Sequence, residues 1–315
     1  MKRVLITGGA GFIGSHLVDA MIRSHEVCVL DDLSEGSIEN IESHLDNEQL
    51  TFVKGSILSV DDVMTALENV DTVFHFAAQP DVRVSTEKPY FDFQVNVIGS
   101  MNLLEAVRST GIRRFVFASS GGTVYGESQV HPTPESTCFR PISNYGAGKG
   151  AFEMYLSSYS ELYGIDSVSM RLANIIGPRS RHGIIYDFFM KLKNDASSLE
   201  VLGNGSQEKT YMYVTDTVAA AILLANNIGR GFLPINVGSS ERLRVSKIAQ
   251  LVLVYLGLPD TKINYTGTAR GWVGDISLTD MDNKLLRSYG WEQRTPLEEG
   301  VKLYVDWLKE TFGFP

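Results

Sequence analysis

Cysteine is scarce in this chain: its 315 residues include two, Cys28 and Cys138. Two thiols without a spaced set of Cys or His exclude a disulfide framework and a zinc site, so no metal is expected. Long hydrophobic runs are missing too. The first, Val4-Leu5-Ile6, is broken at once by Thr7-Gly8-Gly9, which is too short for a signal peptide, and no later run reaches the ~20 apolar residues of a membrane span. A cytoplasmic protein with no membrane partner is expected. Positive charge is in deficit: 28 Lys and Arg against 37 Asp and Glu leave a formal charge of -9. That disfavours nucleic acid as a partner, because phosphate neutralisation needs clustered cations. An anionic small ligand would need local cations or backbone N–H groups. Repeats and low-complexity linkers are absent as well.

What remains is an ordinary globular composition, 43% hydrophobic and 21% charged, at a length that suits one large domain or two unequal ones. Cys28 lies in an apolar run and reads as a core residue. Short β-branched runs at 3–7, 26–30, 50–53, 72–76, 114–118 and 167–172 read as strands. Helical patterns at 14–24, 60–67 and 96–109 separate them, and Ser59 with Asp62 resembles a capped helix start. Such alternation predicts an α/β fold, a doubly wound parallel sheet covered on both faces. From about residue 177 the pattern loosens into short mixed elements. The expected division is a sheet domain over 1–174, with the chain returning to it at about 211–238, and a smaller mixed α/β lid from 175–210 and 239–315.

Thr7-Gly8-Gly9-Ala10-Gly11-Phe12-Ile13-Gly14 joins the first strand to the first helix. Gly8 permits a tight turn, Gly11 lets backbone approach a pyrophosphate, and Gly14 allows close helix–sheet packing. The helix start offers N–H donors to phosphate. The second strand ends in Asp31, whose carboxylate suits an adenosine ribose and repels a 2′-phosphate. The stretch Asp32-Leu33-Ser34-Glu35-Gly36 contains no Arg or Lys. A Rossmann-type dinucleotide site is expected, with NAD favoured over NADP.

Tyr145 and Lys149 stand four apart, on one face of a helix. The apolar strand Phe115-Val116-Phe117-Ala118 ends ahead of them in Ser119-Ser120, at the sheet edge where ligands sit in such folds. Gly146, Gly148 and Gly150 are unusual inside a helix, where each costs about 1 kcal/mol relative to Ala. They point to close approach, either of a cofactor or of a partner helix.

Thr7 to Gly14, Asp31, His75-Phe76-Ala77-Ala78, Asn96, Ser119-Ser120, Val124-Tyr125-Gly126 and the Tyr145/Lys149 pair resemble the extended short-chain dehydrogenases/reductases. Gly271-Trp272-Val273-Gly274-Asp275 and Thr295-Pro296-Leu297-Glu298-Glu299-Gly300 are similar to their UDP-glucose 4-epimerase branch, and the resemblance runs nearly end to end. It implies an NAD site built from Gly8, Gly11, Phe12, Ile13 and Gly14, then Asp31, Asp32, Ser34 and Gly36, then Ser56 and Ile57. Phe76, Ala77, Ala78, Gln79, Asn96 and Ser119 complete it with Tyr145 and Lys149. It also implies catalysis by Tyr145, Lys149 and Ser120. Tyr145 is the acid/base at the sugar 4-hydroxyl, bound NAD carries the hydride, and a transient 4-keto sugar returns as its epimer. The reference pKa of tyrosine is near 10. A cation about 4 Å away at an effective dielectric near 20 is worth roughly 4 kcal/mol, and Lys149, assisted by the positive nicotinamide ring, is expected to lower Tyr145 by that route. The serine tract is one residue longer than the common bacterial form, and Ser120 is favoured over Ser119 by its distance from the strand.

For the sugar nucleotide the resemblance implies Ser120, Gly121, Tyr145, Asn174, Lys209, Arg270 and Thr279. Tyr213, Val214 and Asp216 are expected to be structural. The sequence departs from the family at Ser56, where Asp is usual; at Pro80, where some members carry Lys; at Gly148, often Ser; and at Lys209, commonly Arg. Gly121 and Gly122 stand where 4,6-dehydratases need an acidic pair, which disfavours that reaction and a decarboxylase alike. A non-catalytic NAD sensor or scaffold would be expected to lose Tyr or Lys of the pair. Thr279 is small, which suits UDP-N-acetylhexosamines besides UDP-glucose and UDP-galactose, whereas Arg179 and Arg181 could instead pair with UDP-glucuronate. A homodimer joined through the helices at 96–109 and 145–163 is the expected assembly.

Overall fold

The computed structural model describes residues 2–267 and 274–314. Seven strands form the main sheet: β1 (Arg3–Thr7), β2 (Glu26–Asp31), β3 (Leu50–Lys54), β4 (Thr72–His75), β5 (Arg114–Ser120), β6 (Asp166–Leu172) and, after a long excursion, β10 (Phe232–Val237). Their order is β10-β6-β5-β4-β1-β2-β3, and every neighbouring pair is parallel. The order reverses between β1 and β4, and the crevice at that switch point is where ligands bind in doubly wound sheets. The six strands expected from sequence are all present. β10 supplies the seventh, within the segment expected to return.

Cover on both faces explains why the central strands β1, β2, β4 and β5 are largely apolar, whereas β6 alternates with Ser167, Ser169 and Arg171. Val4 and Ile6 of β1, with Val27, Val29, Phe74, Val116 and Val168, pack under α1 (Phe12–Met21) and α9 (Val214–Asn226). Leu5, Cys28, Leu30, Val73, Phe115 and Phe117 face the other way, against α2 (Val60–Ala66), α5 (Ser100–Thr110) and α7 (Asn144–Tyr163). Both faces are covered, so neither needs polar residues. Ser59 caps α2 by accepting from the Asp62 N–H. Between β4 and α5 run α3 (Val82–Glu87), α4 (Pro89–Phe93) and a wider π-helical turn over Gln94–Gly99; α6 (Gly121–Val124) follows β5.

Most of the remaining elements form a second core over the crevice: β7 (Asn174–Ile176), α8 (Ile184–Asn194), β8 (Ser198–Val201), β9 (Glu208–Tyr213), β11 (Arg242–Arg244), α10 (Val245–Tyr255), β12 (Lys262–Tyr265) and α12 (Leu297–Phe312), while Leu286 of α11 (Lys284–Ser288) packs into the core of the main sheet. β11-β9-β7 make one small sheet and β12-β8 another. Phe188, Phe189, Leu199, Ile248, Val252, Val301 and Tyr304 fill their shared interior. Asp216, the start of α9, accepts from Arg294 N and Thr295 N at 3.0 Å each and so pins the approach to α12. Its structural role matches the expectation.

Candidate active site

One cleft of about 990 Å³ runs along the switch point, between the carboxyl ends of the sheet and the second core. Its size is at the upper end for a ligand pocket and suits two ligands end to end. At one end lies the glycine turn. Gly8 has φ +69°, and a Cβ on it would stand 2.6 Å from Ala77 N; a Cβ on Gly14 would collide with the Gly8 carbonyl. Side chains are excluded at both positions. The first turn of α1 carries no side-chain cap and no acid, so its N–H groups remain open to an anion, and Gly11, Phe12, Ile13 and Gly14 line the cleft there. Asp31 accepts from Ala10 N (2.9 Å) and Leu33 N (2.8 Å), one bond to each oxygen, which leaves each a further lone pair. Burial raises its carboxyl from the usual range. Asp32, Ser34, Gly36, Ser56 and Ile57 continue the lining. An open helix start beside a cradle closed to side chains, with an acid at the end of β2, fits a dinucleotide.

Deeper in, Phe76, Ala77, Ala78 and Gln79 form the opposite wall. A buried chain holds this wall in place. Ala77 N donates to Thr7 Oγ1 (3.3 Å), whose hydroxyl meets His75 Nδ1 at 2.7 Å. His75 Nε2 meets Ser100 Oγ at 2.8 Å, and Ser100 donates on to Asn96 O at 2.8 Å. Each link has one donor, which makes His75 a neutral Nε2–H tautomer; burial, aided by Lys149, lowers its pKa to about 3. Asn96 was expected to bind cofactor, yet it does not line the cleft. It is buried on the π-helical turn, accepting from Gln79 N (3.1 Å) and donating to Gln79 O (3.0 Å) and Asp92 Oδ1 (2.9 Å). The extra residue in that turn aims Asn96 at the wall from behind.

Ser120, Tyr145 and Lys149 meet at the centre of the cleft. Ser143 caps α7 by accepting from Gly146 N, and Tyr145, Lys149 and Glu153 then fall on one face of that helix. Ser120 and Tyr145 line the cleft together, near enough for the serine side chain to act on the Tyr145 phenol and lower it slightly. Lys149 Nζ donates to Ala118 O at 3.0 Å and lies 5.6 Å from the centre of the Tyr145 ring. Burial, with the Asp92 charge adding to it, pushes the Tyr145 phenol above its ordinary value, and burial pulls Lys149 down to about 8.

Ser119 lines the cleft through its backbone strand, but its hydroxyl donates to buried Glu153, which pairs with Arg171 at 2.9 Å. Arg171 Nη1 donates in turn to Tyr125 OH (2.8 Å), and Tyr125 donates to Asn236 Oδ1 (2.7 Å). Gly121 does not line the cleft either. It starts α6 facing inward, where a Cβ would strike Met281, whereas Gly122 and Thr123 face the cleft. The helix glycines serve the protein's own packing. A Cβ on Gly146 would lie 2.7 Å from Thr123 O and one on Gly150 3.0 Å from the Phe139 ring, while Gly148 has ordinary clearance.

Asn174, Lys209 and Thr279 line the far end, and Arg270 lies outside the described residues. Lys209 pairs with Asp275 at 2.6 Å. The Thr279 hydroxyl accepts from Thr210 N at 3.1 Å, which leaves its proton and one further lone pair for a ligand. Arg179 and Arg181 line the cleft but turn to the cofactor side, pairing with Asp19 of α1 (2.7 Å) and with Glu39 (3.5 Å). Gln207 stands in the sequence only as part of the motif Gly203-Asn204-Gly205-x-Gln207-x-Lys209 around Lys209, with no role of its own, and nothing there points to Tyr211. They line the cleft with Lys209, and the every-second-residue spacing of 207, 209 and 211 along one strand is the signal that would have found them.

Residues 4–238 match the model of the NAD dependent epimerase/dehydratase family. A UDP-glucose 4-epimerase of Mycolicibacterium smegmatis is 35% identical over 98% of both chains. The crystal structure of a Thermotoga maritima UDP-glucose 4-epimerase with UDP-glucose is 34% identical, with TM-score 0.90 over 98% of this chain and 99% of that one. The structure of a dTDP-glucose 4,6-dehydratase from Streptomyces venezuelae with NAD bound superposes equally well, with TM-score 0.91 at 27% identity over 99% and 98%. Backbone likeness therefore covers two reactions, and only side chains separate them.

Proposed function

The chain belongs to the NAD dependent epimerase/dehydratase family, and from that premise we propose that it is a UDP-glucose 4-epimerase, interconverting UDP-glucose and UDP-galactose. The observation that carries the choice is Gly122. It faces the cleft beside Ser120 and Tyr145 with nothing within 4 Å of where a Cβ would be, so no acid stands there to drive elimination at C5 and C6. NAD, when bound, supplies the reversible oxidation at the sugar C4. Tyr145 holds and returns the 4-hydroxyl proton, Ser120 hydrogen-bonds the same oxygen, and Lys149 contributes positive charge from the interior side. Burial raises the phenol, so positive charge beside it is what favours Tyr145 as a base. Lys149 supplies such charge from this chain, and NAD, when bound, would add its own. The glycine turn, Asp31 and the wall at 76–79 bind the cofactor, while Asn174, Lys209 and Thr279 hold the sugar nucleotide. Residues 1–174 and about 211–238 would then carry NAD, and 175–210 with 239–315 the substrate.

Room beside Thr279 supports activity on the N-acetyl forms. UDP-glucuronate is less favoured, because Arg179 and Arg181 are engaged at the cofactor end. A cytoplasmic homodimer completes the proposal. Tyr90 is 71% and Leu162 66% exposed, and with Phe93, Ile98, Met154 and Tyr155 they leave α4, the π-helical turn and α7 with more bare apolar surface than an isolated chain usually shows. The test is incubation with UDP-glucose, UDP-galactose, their N-acetyl forms and UDP-glucuronate, with products identified. Conversion confined to UDP-glucuronate, or none at all, refutes the assignment.

A further inference from the structure

Among the described residues three buried side-chain polar atoms lack a hydrogen-bond partner: Arg3 Nε, Ser169 Oγ and Gln207 Oε1. Of these residues only Gln207 lines the cleft. It is 3% exposed, and its backbone is fixed by Val245 N, which donates to Gln207 O at 2.9 Å. A buried acceptor left unpaired destabilises the fold, so a native structure that keeps one calls for an explanation.

Its place supplies one. Leu172 is in register with Ser120, and Asn174, two residues on, is in register with Tyr211. From Tyr211 the row continues through Lys209 to Gln207, on one face of the strand, in steps of roughly 7 Å. With the reacting sugar at Ser120 and Tyr145 and the diphosphate at Lys209, Gln207 falls where the nucleoside must lie. Diphosphate oxygens are acceptors and cannot satisfy Oε1, whereas a nucleoside carries N–H and O–H donors. Val201, Leu202 and Val245 give the same end apolar walls suited to a flat ring.

We infer that Gln207 is a specificity residue for the nucleoside, its side-chain oxygen accepting a hydrogen bond from a base N–H or a ribose hydroxyl. The inference rests on the UDP-sugar reading. The test is calorimetric binding of UDP, CDP and 2′-deoxy-UDP to the NAD-loaded protein and to Gln207→Leu and Gln207→Met, with thermal midpoints of the nucleotide-free proteins. UDP should bind the variants about tenfold more weakly, while their midpoints stay level or rise, because an unpaired buried acceptor has been removed. A base donor makes the variants lose the wild-type preference for UDP over CDP. A ribose donor removes the preference for UDP over 2′-deoxy-UDP, and either pattern supports the role. Unchanged UDP affinity in the variants overturns it. So does a lowered midpoint with equal weakening of all three ligands, which marks a purely structural glutamine. If wild type fails to bind UDP at all, the functional assignment falls with it; if wild type binds and the variants bind equally, only Gln207 is dismissed.

Discussion

Ser119 and Ser120 are neighbours on β5 and turn to opposite sides: Ser119 donates to Glu153 in the interior, and Ser120 lines the cleft beside Tyr145. Strand alternation makes the two serines unequal. Ser120→Ala should lower kcat by about 10²-fold, the scale of one lost transition-state hydrogen bond, with the urea midpoint almost unmoved. Ser119→Ala should do the reverse. It costs about 1–3 kcal/mol by depriving a buried carboxylate of a donor and leaves kcat within a few-fold. Measuring kcat and urea midpoints on both variants decides it, and an interchange of the two phenotypes would reverse the assignment.

Tyr145→Phe keeps the ring and removes the proton carrier. Turnover should fall by at least about 10²-fold, as for loss of a positioned acid/base, while NAD binding measured by fluorescence titration stays near wild type. Retention of a tenth of the activity would assign the base elsewhere.

His75 links stability to pH. Its folded pKa, about 3, lies below the ordinary histidine value of 6.5, so between the two the unfolded chain binds a proton that the folded one refuses. Stability is then full above pH 6.5 and falls as pH drops toward 3, by up to about 1.4 kcal/mol per pH unit. His16 and His182, both lowered chiefly by burial, act with the same sign. Urea unfolding at pH 7.5 and 5.5 should show a smaller decline in His75→Asn than in wild type. Equal declines would mean that His75 titrates normally.

The strands were legible because the central ones are apolar on both faces and β6 alternates cleanly, and the glycine turn, Asp31, Tyr145 and Lys149 because their chemistry fixes their spacing. Three features were not. Asn96 reads as a ligand in sequence, since nothing there announces a π-helical turn that sets it behind the wall. The inward face of Gly121 depends on Met281, 160 positions away. The elevated phenol of Tyr145 is a consequence of burial, which only the packed cleft reveals.

Thr279→Tyr should suppress turnover of the N-acetyl sugars selectively, by filling the space beside the hexose. The wild-type hydroxyl accepts from Thr210 N, so this variant also loses stability, and kcat/KM must be compared on samples confirmed folded. An equal fall for both substrate classes would show that Thr279 is not the gate.

The reaction itself is tested most directly with UDP-glucose carrying deuterium at C4. Epimerisation returns the label to C4, so the account predicts UDP-galactose of unchanged mass with deuterium still at C4 and no net change in NAD. A product lighter by water with deuterium at C6 would mean that elimination took place despite Gly122, and would contradict the account.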